Sequence, residues 1–393
     1  MSMIKNFTAK LFGKKTSTAY DHSFNLEIPE IDYYWKLDNC SVAADGVDKV
    51  ASAIANSNPI SKDGDNVIKT RSVDLLNKPN DKATGDDLVY KITEDIYKNK
   101  SAYVVLVGNV NSAPIEIHYV KGKKVNRFLN SHGDIDYITI FNDDYAGTYV
   151  YDEKNRLVDI QTGLKQLVII EYPSERSHLQ NVALEIAVLT DGLKRNAALM
   201  QNGGRLSTLI TFKDSPTQTE FQSRLESVDN QIRRKNYGGI LATNGELDLK
   251  EMGLTPRDMD FIQLQEACEA RVYLGCGVPL PLVKASASTF NNYETAQENF
   301  YTETVIPLAN MIYSTIGEEI AKRENKKYTT LTNIQEIPVI QKMLTKAAKD
   351  RKDLGVETIN EMRQQLGLSP HTNGDILLVE SRYVPIESLG VEI

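Results

Sequence analysis

The chain has 393 residues, 41% hydrophobic and 25% charged, with a formal net charge of −8. This length allows two or three domains with sizeable cores, the composition excludes wholesale disorder, and the acidic balance argues against a protein that coats nucleic acid with a basic face. The three cysteines, Cys40, Cys268 and Cys276, form no CxxC pair and read as free core thiols in a reducing compartment.

At the amino terminus, Ile4, Phe7 and Leu11 recur at helical spacing among Lys5, Lys10, Lys14 and Lys15. That pattern fits either a terminal arm or a helix that meets a partner or membrane surface. From about 30 to 177 short helices mix with strands. In "GVDKVASAIA" Val47, Val50, Ala51 and Ile54 share a face, and in "DDLVYKITEDIYKNK" Leu88, Ile92 and Ile96 do the same. "SAYVVLVG", "IEIHYV", "YITIF", "GTYVYD" and "KQLVIIEY" read as strands, so the first half is α+β. The apolar runs 102–108 and 167–170 are too short to span a bilayer and no signal-peptide core precedes them, which gives a soluble, cytoplasmic reading.

The next segment is different. Leu179, Val182, Ile186, Leu189, Leu193, Ala197 and Met200 are spaced by three or four, which predicts a helix of about 22 residues that "NGG" at 202–204 stops. "LSTLITF" (206–212) reads as a strand. Ser215, Pro216 and Gln218 then resemble a capped helix start, with Phe221, Leu225, Val228 and Ile232 on one face. "GGILATNGELDLKEM" returns as a hairpin-like pair turning at Gly245, completing a βαββ unit too small to have much core of its own.

A second helix is predicted from about Arg257 to Gly275, with the stripe Phe261, Leu264, Cys268, Val272 and Gly275. Two helices bracketing a small insert suggest a stalk with a tip. Gly277, Pro279 and Pro281 end this helix, and Asn291 is expected to cap the next one with Glu294 at its third position and Phe290 as the flanking hydrophobic residue. Pro307 removes a backbone donor and should kink that next helix near its middle.

Catalytic chemistry finds little support. Acidic residues in "DIDY" (134–137) and "FNDDYAG" (141–147) could hold a metal, as a hydrolase or nuclease would, but carboxylates between strands are ordinary turn formers. His118, His132 and His178 have no zinc-ligand spacing, and no GxxxxGK[ST] motif occurs. We therefore expect no metal and no cofactor, with a metal-dependent hydrolase or nuclease that uses the acidic turns as the alternative reading.

Taken in order, "LLNKPNDKATGDDLVYKITEDIYKNKSAYVVL", "NGG" after a long helix, "EARVYLGCGVPLPLV" before a Ser/Thr/Asn-rich loop, "FYTETVIPLANMI" and "GVETINEMRQQLGLSP" resemble the portal proteins of tailed bacteriophages and phage-derived gene transfer particles. The departure is Cys276, where that family more often has phenylalanine or tyrosine. The resemblance implies a ring, usually of twelve subunits, at one capsid vertex of the virion, assembled in the host cytoplasm, with double-stranded DNA passing through it. It would meet the major capsid protein, the terminase large subunit and a head-tail adaptor, and no membrane. The implied parts are an arm (1–25), an α+β wing (26–177), stem helix 1 (178–201), a βαββ clip (202–255), stem helix 2 (256–277), a tunnel loop (278–292), a kinked tunnel helix returning to the wing (293–337) and a helical crown (338–393). A channel that moves DNA needs weak contacts indifferent to sequence, so Lys284, Ser286, Ser288, Thr289 and Asn291 are expected to face DNA. Arg224, Arg233, Arg234 and Lys235 are candidates for partner binding at the clip.

Overall fold

The computed structural model describes residues 37–64, 66–201, 208–212, 218–220, 222–223, 247–251, 258–284, 290–353, 357–365 and 368–375. The N-terminal arm lies outside the described residues. Helix α1 (Ser41–Ala55) buries Ala43, Gly46, Val47, Val50, Ala51 and Ile54 along one face, as its apolar spacing dictates. Helix α2 (Arg71–Asn77) is capped by Thr70, whose hydroxyl accepts from the Val73 amide. In α3 (Gly85–Asn99) the side chains of Thr84 and Asp87 each accept from the other's backbone amide, satisfying two donors that a helix start would leave orphaned. Leu88, Val89, Ile92 and Ile96 form its buried face.

Behind these helices lies an antiparallel sheet of β3 (Ser101–Val107), β4 (Glu116–Val120), β5 (Val125–Leu129), β6 (Ile135–Ile140), β7 (Gly147–Tyr151), β8 (Leu157–Asp159) and β9 (Lys165–Glu171). Its strand order is β4-β3-β9-β8-β7-β6-β5, with Tyr103 opposite both Val120 of β4 and Ile169 of β9. Strand β3 is apolar almost throughout because both faces are covered. Ala102, Val104 and Leu106 join the main helical core, while Tyr103 and Val105 join Val120, Ile138, Ile140, Tyr149, Leu157 and Leu167 on the opposite face. The sequence pattern revealed five of these strands and missed β5 and β8. Strand β8 is only three residues long, and β5 is an edge strand with exposed Phe128 and Leu129, so neither carries a clear burial period.

A second sheet, also unforeseen, joins distant parts of the chain. It pairs β1 (Pro59–Asp63) with β2 (Asn66–Ile68) and with β12 (Thr329–Thr332), placing Ser61 opposite Thr330. The hydroxyls of Ser61, Thr70, Ser72 and Thr330 bond one another at 2.7 to 3.2 Å in the interior. Such a satisfied polar cluster fixes register where an apolar contact would tolerate slippage.

The rest of the described chain is mostly helical: α4 (Ala183–Gln201), α5 (Asp258–Gly275), α6 (Phe290–Asn299), α7 (Ile306–Glu324), α8 (Pro338–Asp353) and α9 (Ile359–Gln365), with β10 (Thr208–Phe212) and β11 (Leu247–Glu251) between α4 and α5. Helix α7 runs through the main core and buries Leu308, Ala309, Ile312, Tyr313, Ile316 and Ile320. The fold is thus α+β, with the helical core on one face of the large sheet. Among the described residues, no helix is long and apolar enough to cross a membrane.

Candidate functional site

The distinctive region is the junction where α4, α5 and the helix containing Pro307 meet the rest of the fold. Helix α4 starts more tightly than its periodicity suggested, through a 3-10 turn at Gln180–Val182. Ser177 and Gln180 hold this turn reciprocally: the Gln180 amide donates to Ser177 Oγ at 3.1 Å and the Ser177 amide to Gln180 Oε1 at 2.9 Å. The Ser-x-x-Gln spacing is a readable capping signal that the sequence analysis passed over.

Helices α4 and α5 run antiparallel, since Glu185 near the start of α4 lies 4.0 Å from Arg271 near the end of α5. They pass so close there that a Cβ on Gly275 would meet Val182 Cγ1 at 2.5 Å. The expected stripes are buried only at this end. Leu179, Val182, Ile186 and Leu189 are covered, as are Cys268 and Val272. Further out, Leu193 is 54% exposed, Ile262 58% and Leu264 49%. Leu193 and Leu264, both of the predicted stripes, are thus open in the single chain, because two thin helices cover each other only where they close together.

Beyond them, β10 and β11 pair antiparallel with Thr208 opposite Glu251 and Phe212 opposite Leu247. The predicted first strand of the insert thus pairs with the last. The turn at Gly245 and the clip candidates Arg224, Arg233, Arg234 and Lys235 lie outside the described residues.

Helix α5 ends as "GCGVP" suggested. Gly277 has φ +76°, its amide donates to the Leu274 carbonyl, and the Val278 amide reaches back to the Tyr273 carbonyl, both at 2.9 Å. This is the paired closure of a Schellman motif, which favours glycine at the left-handed position. Tyr97 donates its hydroxyl to the Cys276 carbonyl at 2.8 Å, tying the helix end to α3. Cys276 is fully buried, and its Sγ lies so near Gly46 that a Cβ there would approach within 2.9 Å. The small thiol in place of an aromatic ring is therefore matched by close approach of α1. Burial pushes the Cys276 thiol pKa up to about 12, so it stays protonated and unreactive. Cys40 and Cys268 are buried free thiols as well.

After Pro279, residues Leu280–Leu282 form a 3-10 turn, and Lys284 ends the described part of the loop with Nζ 3.3 Å from Glu269 Oε2 of α5. Ser286, Ser288 and Thr289 lie outside the described residues. Asn291 is not the expected cap. Helix α6 already begins at Phe290, so both residues have helical backbone, whereas a cap and its preceding residue stand outside the helix.

Pro307 interrupts the next helix as expected. Six residues, Phe300–Val305, form a π-helical stretch directly before α7. Proline offers no amide to the carbonyl four residues back, and wider turns absorb the misfit. The stretch is pinned to the end of α5: Thr304 donates its hydroxyl to the Gly277 carbonyl at 2.9 Å, and a Cβ on Gly277 would meet the Thr304 side chain at 2.7 Å. Beside this contact is a cavity of about 400 Å³ whose walls include Tyr97, Tyr172, His178, Leu274, Thr304 and Pro307. His178 stacks on Tyr97 with ring centroids 4.3 Å apart and lies against Tyr172 at 4.4 Å. Its Nδ1 has no hydrogen-bond partner, and burial draws its pKa down to about 4.

Of the acidic segments, 141–147 makes a turn, whereas in 134–137 only Asp134 precedes β6 and Asp136 lies within that strand. Asp143 accepts from the Tyr145 amide and pairs with Lys124 at 2.9 Å, while the Asp134 amide donates to Asn130 Oδ1. His118 pairs with Glu116 at 2.7 Å. Among the described residues, no three His, Cys, Asp or Glu side chains are grouped as metal ligands.

The family model described as "Phage portal protein" matches residues 41–367. A Rickettsia bellii (strain RML369-C) protein is 25% identical over 328 residues, covering 81% of this chain and 83% of its own. A solved structure described as "Neck of native GTA particle computed with C12 symmetry" has a chain of similar fold, with TM-score 0.59, 19% identity, and coverage of 84% of this chain and 90% of that one. An HK97 family phage portal protein from Corynebacterium diphtheriae aligns with TM-score 0.55 and 10% identity over 77% of this chain and 96% of its own.

Proposed function

The chain belongs to the phage portal protein family, and from that premise we propose that copies of it close into a ring of twelve subunits at one vertex of a phage or gene-transfer-particle capsid. The ring is the conduit through which double-stranded DNA enters and leaves. It has no chemistry of its own, and the motor ATPase is a separate protein, in keeping with the lack of a GxxxxGK[ST] motif. Assembly takes place in the host cytoplasm and the product resides in the virion. Residues 26–177 serve as the wing, 178–201 and 256–277 as the stem, 202–255 as the clip, 278–292 as the tunnel loop, 293–337 as the kinked helix and its return, and 338–393 as the crown. The wing faces the major capsid protein, the clip meets the terminase large subunit and later the head-tail adaptor, and the tunnel loop meets DNA.

The observation that carries the ring is the uncovered apolar surface of the stem. Leu184, Leu193, Ile262, Leu264 and Leu274 are about half exposed in the single chain, on two helices that cannot cover them alone. Several large apolar side chains left open on one pair of helices mark an association site, and neighbouring stems in a ring would cover them. The C12 neck symmetry of the similar particle supports twelve as the number. Negative-stain imaging of the purified chain, with light scattering after gel filtration, tests the reading. We expect perforated rings. A species that remains monomeric over a wide concentration range at moderate salt would refute it.

A further inference from the structure

A second site stands apart from the stem and loop. The turn between β7 and β8, the C-terminal end of α7 and the residues just after it enclose a cavity of about 350 Å³ lined by Lys154, Arg156, Lys322, Asn325, Lys326 and Lys327. Five of these six residues are cationic and none is a carboxylate, in a chain whose net charge is −8. We propose that this cavity is a phosphate-binding site.

The surrounding carboxylates do not cancel the charge. Asp152 pairs with Arg156 at 2.6 Å, Glu319 with Lys322 at 2.5 Å and Glu324 with Lys326 at 3.4 Å. Among the described residues, Lys154 and Lys327 have no ion-pair partner. Arg323, next to Lys322, is 3% exposed. It donates from Nη2 to the Gly108 carbonyl at 2.6 Å, but its Nε and Nη1 have no partner. Burial first, and the neighbouring Arg156 charge second, lower the Arg323 pKa to about 10, against a smaller opposing pull from Glu319. Arg156 and Arg323 are thus two buried guanidiniums whose charges oppose each other, and of the two only Arg156 has a carboxylate partner. An anion between the elements would offset that repulsion.

A helix C-terminus attracts cations through its dipole, which accounts for lysines on and just after α7. It does not account for Lys154 and Arg156, which come from a hairpin turn distant in sequence. Arg156 is set in place by the 108–111 turn, donating to the Val110 carbonyl and to Asn111 Oδ1, and the same turn holds Arg323 through Gly108. A guanidinium held in place among lysine ammonium groups suits the several acceptor oxygens of a phosphate. Lys322, Lys326 and Lys327 also line an adjoining cavity with Lys62, where Asp63 and Glu318 balance part of the charge, so the uncompensated positive charge is centred on the first pocket. The phosphate belongs either to a nucleic-acid backbone or to a free phosphate compound.

The site is tested with the full chain by calorimetric titration with inorganic phosphate, against chloride at matched ionic strength, and by competition with a short DNA duplex. The comparison variant carries Lys154→Gln and Lys327→Gln, two exposed side chains, and circular dichroism checks that it keeps the fold. We expect phosphate binding above the chloride control, weakened about tenfold or more in the variant. Displacement of phosphate by the duplex assigns the source to a DNA backbone; binding of phosphate that the duplex leaves untouched assigns it to a free compound. No binding beyond chloride, or equal binding by the variant, overturns the proposal. So does loss of rings in the variant with phosphate affinity unchanged, which would give the cavity to an acidic surface on a neighbouring copy.

Discussion

Lys284 has two possible partners, and they can be separated experimentally. Within the chain it pairs with Glu269 at 3.3 Å, a partly exposed contact worth about 0 to 1 kcal/mol. In the ring we propose that it meets DNA phosphates. Lys284→Gln and Glu269→Gln each remove the internal pair, but only the first removes a positive charge from the channel. We expect both variants to form rings, with Lys284→Gln lowering the DNA retained in filled particles and Glu269→Gln leaving it unchanged or raised. Equal retention in the two would make Lys284 a pin for the loop rather than a DNA contact. His178 gives a pH signature at the same scale. Its folded pKa of about 4 lies below the ordinary imidazole value of 6.5, so below pH 6.5 the unfolded chain takes up a proton that the folded one refuses. Stability from this group is therefore complete above pH 6.5 and declines as pH falls toward 4, by up to about 3 kcal/mol. Denaturation midpoints measured across that range should fall less steeply for His178→Phe than for the parent chain. Parallel slopes would mean that the imidazole is not held neutral.

At the scale of elements, the stem is a pair of helices closed at one end and open along the rest. Gly275 against Val182 and Gly277 against Thr304 lock the closed end, while Leu193 and Ile262 are 54% and 58% exposed further out. Exposed substitutions usually shift chain stability by no more than about 0.5 kcal/mol, whereas a carboxylate buried unpaired at a subunit contact costs several times more. Leu193→Glu and Ile262→Glu should therefore leave the thermal midpoint of the chain nearly unchanged and abolish rings in light scattering. Rings of normal yield in both variants would place the subunit contact elsewhere. The helix endings show how much local chemistry can be read directly. Gly277 and Pro307 act as their residue types require, because a left-handed position and a missing amide are local facts. The start of α6 was misplaced because Asn291 satisfies a capping pattern that the backbone, already helical at Phe290, does not use.

For the whole molecule, the net charge of −8 is repeated in every copy, so a ring concentrates negative charge as it closes. Screening acts over about 10 Å at 0.1 M salt and about 30 Å at 0.01 M, so ring yield should rise with salt over this interval before levelling off. Mass photometry of the same sample across the series measures it. A yield that falls steadily with added salt would indicate that opposite charges at the subunit contacts, rather than apolar stem surface, hold the ring.

The sequence by itself determined the α+β class, the two long helices with a small strand-bearing insert, and the closure of α5 at Gly277. It also located the interruption at Pro307, because hydrophobic period, glycine and proline act within a few residues of themselves. The order of family motifs was legible too. Only the tertiary structure decided that β12 returns to pair with β1, since residues with no shared periodicity become neighbours through the hydroxyls of Ser61, Ser72 and Thr330. It alone showed that a thiol at Cys276 fits because Gly46 approaches it, and that the stem stripes are covered at one end and open at the other. The cationic cavity is of the same kind: Lys154 and Arg156 lie far along the chain from Lys326 and Lys327, and no local pattern joins them. Charge and burial depend on which surfaces meet, and chain folding settles that through contacts between residues whose separation in sequence carries no signal.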